Sequence, residues 1–499
     1  MSVFGRLMKD TAIYGLSSIL ARMLNFFMLP LYTRKLTEGD FGTYSDIFAY
    51  IALLQVVLVF GMETGFFRFA SRNDRDPDKA FQTIAGFLLV TSSVFFVAMC
   101  VFSSDIARTM GYYPVAVILT AGILAVDSYA SVMFARLRYE RKAMKFAVIR
   151  SVKIVAEVAF NLIFLLTLPA YFESHPHSVL LNVFTPQISY VYVLAAVFCS
   201  CLIPILFFAR DILKTPLKIS KTYLNEIFIY SFPLMLAGLQ GVANDFADRI
   251  LFRFLAPRTE TTWNEQLGLF SANARLAVIM TLFVQMFRYA AEPYFFSSAA
   301  KEDIRPTYAR VTKYFTVFCV VIFLFTALYA DVFKLILGEG FRQGIFILPI
   351  MLTANIFSGI NQNLSIWYKL ASRTKTAVLI TFCGLVTTLA VNVIFMPRYG
   401  YVAAAWGHPA SYSVMLLVSW NLSKKYYKIP YEWGKIIFYI AFGLFLYAAS
   451  RVVPEKSPAT GLILNTVLLS IFVASAVRIE RIDPKAQMQR LIKIVRTKK

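Results

Sequence analysis

Charge is scarce in this sequence, and histidine is scarcer. Of 499 residues, 16% are Asp, Glu, Lys or Arg, and three are histidine. A soluble chain of this length needs far more charge to cover its surface, so a water-soluble enzyme is excluded at the outset. Three histidines, with no HExxH, leave no ligand cluster for a metal, and no GxxxxGK[ST] phosphate loop occurs. The five cysteines (Cys100, Cys199, Cys201, Cys319, Cys383) all fall in apolar runs without CxxC spacing, which reads as packing rather than disulfides or metal. No cofactor is expected. The start, MSVFGRLMKD, lacks the pattern of a cleavable signal peptide.

What the chain has in abundance is apolar length. Its residues are 58% hydrophobic and its mean hydropathy is +0.63. Runs long enough to cross ~30 Å of hydrocarbon recur at 11–33, 42–69, 80–102, 113–135, 145–168, 187–209, 224–255, 268–298, 307–330, 345–368, 376–396, 401–423, 432–450 and 459–478. The pattern predicts an all-α polytopic membrane protein with about 14 transmembrane helices. The loops are too short to house a catalytic domain.

The charges that do occur are distributed unevenly. The net charge is +22. One alternate set of loops, with both termini, holds about 31 Lys and Arg against about 9 in the other set. This bias predicts a cytoplasmic N-terminus and C-terminus. It also accounts for the basic balance without nucleic acid, since the cations lie beside lipid headgroups. The tail DPKAQMQRLIKIVRTKK reads as a basic amphipathic helix on the inner surface. Echoes between FGTYS (41–45) and LGLFS (267–271), and between ETGFF (63–67) and EPYFF (292–296), suggest two similar halves. The predicted organisation is an N-lobe over 1–210, a C-lobe over 211–423, an extra helix pair over 424–478 and the basic tail over 479–499.

Polar residues inside the apolar runs are costly and tend to mark function. Here they line up at helical spacing. The first run carries Thr11, Tyr14, Ser18, Arg22 and Asn25, the fifth Arg150, Lys153, Glu157 and Asn161, and the tenth Asn355, Ser358, Gln362 and Ser365. The seventh is the most polar: Gln240, Asn244 and Asp248 form one row, and Asp245, Arg249 and Arg253 the next. Asp245 and Arg249 are spaced for an ion pair, as are Arg288 and Glu292. Arg150, Lys153, Arg68 and Arg253 lie near run ends, from which they can snorkel to headgroups. Arg22 and Arg275 have no acid three or four residues away. Two such arginines facing one cavity would attract an anion, and guanidinium forks suit phosphate. Glu63, Asp127, Glu157, Asp245 and Asp248 are candidates for carrying a coupling ion, with simple ion pairing as the alternative.

MLPLYTRKLTEGDFGTYS at 28–45 resembles the P-x-Y-T-R-x-L-x-x-x-D-F-G-x-Y signature of bacterial polysaccharide flippases, in the multidrug/oligosaccharidyl-lipid/polysaccharide exporter superfamily. SFPLMLAGLQGVANDFADRILFRFL at 231–255 is similar to that family's seventh helix. The resemblance in span pattern covers about 1–423, and the last two spans exceed the usual twelve. It implies two six-helix lobes in a V shape around a cavity that alternates between faces of the inner membrane, plus a C-terminal helix pair. The cargo it implies is an undecaprenyl-diphosphate-linked oligosaccharide. Arg22 and Arg275, with Arg249, would hold the diphosphate, while Asn25, Asn244, Asn355 and Gln362 offer hydrogen bonds to sugar. A polysaccharide polymerase and glycosyltransferases are the expected protein partners. A peptidoglycan-precursor flippase and a cation-coupled drug exporter remain open. A membrane polymerase or ligase fits less well, because the external loop at 169–186 has no Lys or Arg.

Overall fold

The computed structural model describes residues 19, 23–24, 26–72, 75–175, 177–178, 189–216, 218–257, 261–299, 303–371, 373, 375–452 and 457–481, the side chains of 290, 292–294, 296–299 and 458 excepted. Arg22, Asn25, the Glu292 side chain and the basic tail lie outside that set. Among the described residues every regular element is helical.

The helices begin where the sequence supplies caps. The first described helix, α1 (Leu29–Lys35), has a proline in its first turn. α2 (Glu38–Ala70) starts at Thr37, whose Oγ1 accepts from the Asp40 amide at 3.1 Å. α3 (Pro77–Val101) is capped by Asp76, which accepts from the Asp78 and Lys79 amides. There follow α4 (Pro114–Tyr139), α5 (Ala143–Ser174), α6 (Tyr190–Lys214) and α7 (Lys221–Leu255). α8 opens with a Thr262/Glu265 capping box and has two limbs, Trp263–Leu276 and Val278–Ala299; the bend between them is 46°. α9 (Arg305–Leu328), α10 (Glu339–Leu370), α11 (Lys375–Tyr399) and α12 (Tyr401–Tyr426) complete the second bundle. α13 (Trp433–Val452) and α14 (Pro458–Ile479) pack on α9.

Eleven of the described helices are long and apolar enough to cross a membrane, or twelve with bent α8 taken as one span. α12 falls short on hydropathy because Gly407, His408, Pro409, Ser411 and Tyr412 interrupt it, yet it packs against α10 and α11. The expected first run, 11–33, lies mostly outside the described residues. The described residues thus hold eleven to twelve candidate spans, where the sequence predicts about 14.

The two bundles meet through α2, α7 and α8. Glycine makes the α2–α8 crossing possible. A Cβ on Gly42 would stand 1.7 Å from the Asn264 carbonyl oxygen, and one on Gly268 would stand 2.0 Å from that of Glu38. Only bare backbone fits on both sides. Further along, α2 breaks at Phe60 and Gly61, with φ of 52° and 67°. A Cβ on Gly61 would come within 2.8 Å of the Ser231 carbonyl on α7. Arg68 stacks on Tyr230 at 4.3 Å and Arg75 pairs with Glu226 at 2.7 Å. Arg68 therefore contacts the other bundle, where the sequence suggested snorkelling.

Candidate functional site: a polar cavity beside two unpartnered arginines

α7 presents two polar faces, as its spacing predicted. One is buried against α11 and α12. There Asn244 Oδ1 accepts from Thr388 Oγ1 and from Ser411 Oγ, each at 2.9 Å. One turn on, Asp248 is fully buried, with its Oδ2 3.1 Å from His408 Nε2. Asn244 thus spends its carbonyl oxygen on helix packing, a different use from the sugar contact expected of it.

The second face carries Asp245 and Arg249. They do not form the expected ion pair: Asp245 is solvent-exposed and its Oδ1 accepts from Tyr412 Oη of α12 at 3.0 Å. Asp245 and Tyr412 line a cavity of about 200 Å³ with Gln285 and Arg288 of α8 and Asn355 and Gln362 of α10. Ser358 lines it too, so three members of the α10 stripe converge here. Ser365 instead donates to the carbonyl of Gln362 at 2.6 Å. Asn355 donates to the Ala277 carbonyl at 3.1 Å, satisfying a backbone oxygen released by the α8 bend.

Arg249 lies over the Phe246 ring at 4.6 Å, and its buried Nε has no hydrogen-bond partner. It is within electrostatic reach of Asp248, Arg275, Asp245 and Tyr44. Arg275, at the end of the first limb of α8, lies over Phe41 at 4.9 Å and Tyr44 at 5.2 Å. No carboxylate pairs with either guanidinium among the described residues. Aromatic faces offset part of the cost of an unpaired cation but leave its N–H donors free. Two like charges at this junction repel each other, and an anion between them would relieve both.

Most of the other candidate acids are already partnered. Glu63 pairs with Arg138 at 2.6 Å and Asp127 with Lys153 at 2.7 Å. Lys153 therefore does not snorkel; an acid on the neighbouring helix holds it inside the bundle. Glu157 is half-buried beside that pair.

Arg253 departs furthest from expectation. In place of snorkelling it binds fully buried Asp46 of α2 at 2.5 Å and the Met110 carbonyl at 2.6 Å. It also stacks on Trp263 at 4.1 Å. Tyr112 donates to the same carboxylate at 2.7 Å. This clasp joins α7 to the first bundle at the end where α2 crosses α8. Asp46, His408 and Tyr412 were not singled out in the sequence; the available signal was a lone acid and a lone histidine inside apolar runs.

The backbone as a whole is similar to solved transporter structures. Lipid II flippase MurJ, in an inward closed conformation, superposes with a TM-score of 0.70 at 11% identity, covering 93% of this chain and 98% of that one. An inward-facing multidrug resistance MATE family transporter of the MOP superfamily gives 0.59 at 14% identity, covering 82% and 97%. An outward-facing one gives 0.55 at 13%, covering 85% and 94%. These likenesses establish a shared fold. No curated protein sequence matches significantly. The family model of the polysaccharide biosynthesis proteins matches residues 7–299, and the chain, a multi-span membrane protein with a MurJ- and MATE-like fold, belongs to that family.

Proposed function

We propose that this protein is a flippase that carries an undecaprenyl-diphosphate-linked oligosaccharide from the cytoplasmic to the outer face of the bacterial inner membrane, for surface polysaccharide or lipopolysaccharide synthesis. The observation that carries the reading is the pair Arg249 and Arg275, two guanidiniums without carboxylate partners at the junction of the bundles. A diphosphate offers the oxygens that their free donors need. Arg22 would complete the set from the first helix. Asn355 and Gln362, with Gln285, suit sugar hydroxyls, and the bare-backbone crossing at Gly42 and Gly268 suits an interface that closes and reopens as the lobes rock. The N- and C-termini would be cytoplasmic. A polysaccharide polymerase and glycosyltransferases would be its partners, and the surrounding lipid its solvent.

A lipid-linked peptidoglycan precursor carries the same diphosphate, and MurJ's own fold likeness keeps that reading as the alternative. A cation-coupled drug exporter is the other alternative, since the cavity lining carries one charge of each sign, Arg288 and Asp245. The test is flipping of fluorescent undecaprenyl-diphosphate lipids in proteoliposomes, one bearing an oligosaccharide repeat and one a peptidoglycan-precursor headgroup. The expected result is faster flipping of the oligosaccharide lipid. Preference for the precursor headgroup would shift the assignment, and movement of neither would remove it.

A further inference from the structure

The geometry points to a binding site for a zwitterionic phospholipid headgroup, with its phosphate and ammonium two carbons apart, in a pocket at one end of the first bundle. The inference goes beyond the transport reading, because this pocket shares no residue with the cavity on the second bundle.

The pocket holds about 290 Å³ between the ends of α3, α4, α5 and α6. The apolar part of its lining, Met133, Leu137 and Phe208, is buried. The rest carries charge of both signs, and most of that charge is paired. Arg136 bridges Asp78 at 3.1 Å and Glu140 at 2.8 Å, and Lys142 reaches Glu140 at 2.7 Å. Lys145 of α5 holds Asp211 of α6 at 3.0 Å. Lys214, one turn beyond Asp211, lines the same pocket and has no acid partner among the described residues.

The order of these charges selects the ligand. Lys214 attracts a phosphate, but Asp211 stands one turn away on the same helix. A headgroup that is only an anion meets that carboxylate and is repelled. A headgroup with both signs finds a partner at each. Its phosphodiester takes the Lys214 ammonium in a charge-assisted hydrogen bond. Its own ammonium takes Asp211 Oδ1, since Lys145 engages Oδ2.

The surface beside the rim places that ligand in lipid. Further into α5 from Lys145 come exposed Val148 and Val152, and further into α6 from Lys214 comes exposed Phe207. At helical spacing these share a face with the lysines, so acyl chains have an apolar track below a headgroup in the pocket. A soluble phosphate compound would use none of it. The pocket wall is also the start of the connection between the bundles. Thr215 and Pro216 line it. Ile219 then rests on α3, where a Cβ on Gly86 would stand 2.9 Å from its Cγ1, and the Ser220 amide donates to Thr83 Oγ1 at 3.3 Å. A headgroup held here touches the segment that leads into α7.

The test is native mass spectrometry of the purified full chain in detergent, with known amounts of phosphatidylethanolamine, phosphatidylglycerol or soluble glycerophosphoethanolamine. The wild type is expected to retain phosphatidylethanolamine about tenfold better than phosphatidylglycerol, the scale of one hydrogen bond to a charged group. Soluble glycerophosphoethanolamine should not be retained. Lys214→Gln should weaken phosphatidylethanolamine binding about tenfold. Asp211→Asn should abolish the preference and raise phosphatidylglycerol binding. Lys375→Gln, at the start of α11 and outside the pocket, should change neither. All three positions are exposed, so each variant is expected to fold. Equal retention of the two lipids by the wild type would overturn the inference. So would binding that is indifferent to Lys214→Gln, a preference that survives Asp211→Asn, or a soluble headgroup that binds as tightly as the lipid. No cargo enters the experiment, so its failure leaves the flippase reading standing, and failure of flipping leaves this site standing.

Discussion

In the first half of the chain Asp127 of α4 binds Lys153 of α5 at 2.7 and 2.9 Å; in the second, Asp248 of α7 faces His408 of α12 at 3.1 Å. Both put an acid beside a base within the bundle, and the bases differ in what they can do. An ordinary lysine titrates near pH 10.4 and an ordinary histidine near 6.5. The first pair ties two neighbouring helices, and both of its side chains are partly exposed. The second is enclosed, with Asp248 fully buried and His408 8% exposed, so it depends on how closely α7 packs against α12. The positions agree with this division. The lysine pair joins two helices of one bundle, whereas α7 also carries Arg249 on its cavity face and Arg253 in the clasp.

Removing the base breaks the comparison most severely in the first half. Lys153→Met leaves Asp127 without its counter-charge at a site where both side chains are a third exposed or less. That should cost about 2–4 kcal/mol, below the full penalty for a wholly buried pair, read as a lower melting temperature and poor yield in detergent. His408→Gln should cost about 1 kcal/mol, because the amide still donates to Asp248. Lys153→His sharpens the comparison by giving the first half a titratable base. Its contribution should be present below the imidazole pKa and lost as pH rises through it, so the melting temperature should fall between about pH 6 and 8 more steeply than the wild type's does.

Effects at the junction fall below that of Lys153→Met. Gly268→Ala places a Cβ 2.0 Å from the Glu38 carbonyl oxygen and should separate the α2–α8 crossing at about 1–3 kcal/mol. The readout is a longer distance between labels on the two bundles. Arg253→Lys keeps the charge but cannot reach Asp46 and the Met110 carbonyl together, so a loss of about 1–2 kcal/mol from the clasp is expected, read as a lower melting temperature. The smallest effect lies where the C-terminal pair docks. Burial raises the pKa of the Glu480 carboxyl, but hydrogen bonds from Lys313 and Tyr439 outweigh it and hold the group below its ordinary value. Its contribution is present above the ordinary carboxylate pKa and lost as pH falls through the lowered one. Glu480→Gln should remove about 1 kcal/mol at neutral pH and flatten the acid limb of the melting curve.

Periodicity revealed which side chains share a helix face, and that part of the site was legible in the sequence. The rows Asn244/Asp248 and Asp245/Arg249 on α7 do occupy two faces, and Asn355, Ser358 and Gln362 do converge on one cavity. What spacing does not encode is which helix each face meets. Arg253 and Lys153 looked free to snorkel because their partners, Asp46 and Asp127, lie 207 and 26 residues away. Asn244 looked available because Thr388 and Ser411 belong to other helices. The bend in α8 was also hidden: no proline marks Ala277, and its released carbonyl is satisfied from α10.

The central claim is that Arg249 and Arg275 hold a diphosphate. It is tested most directly by binding of undecaprenyl diphosphate to purified protein, titrated for the wild type, for Arg249→Ala with Arg275→Ala, and for Arg249→Lys with Arg275→Lys. Each guanidinium contact to a charged oxygen is worth about 1.5–3 kcal/mol. The double alanine variant should therefore bind at least about 100-fold more weakly, with the lysine variant in between. Equal binding by wild type and the double alanine variant would contradict the account.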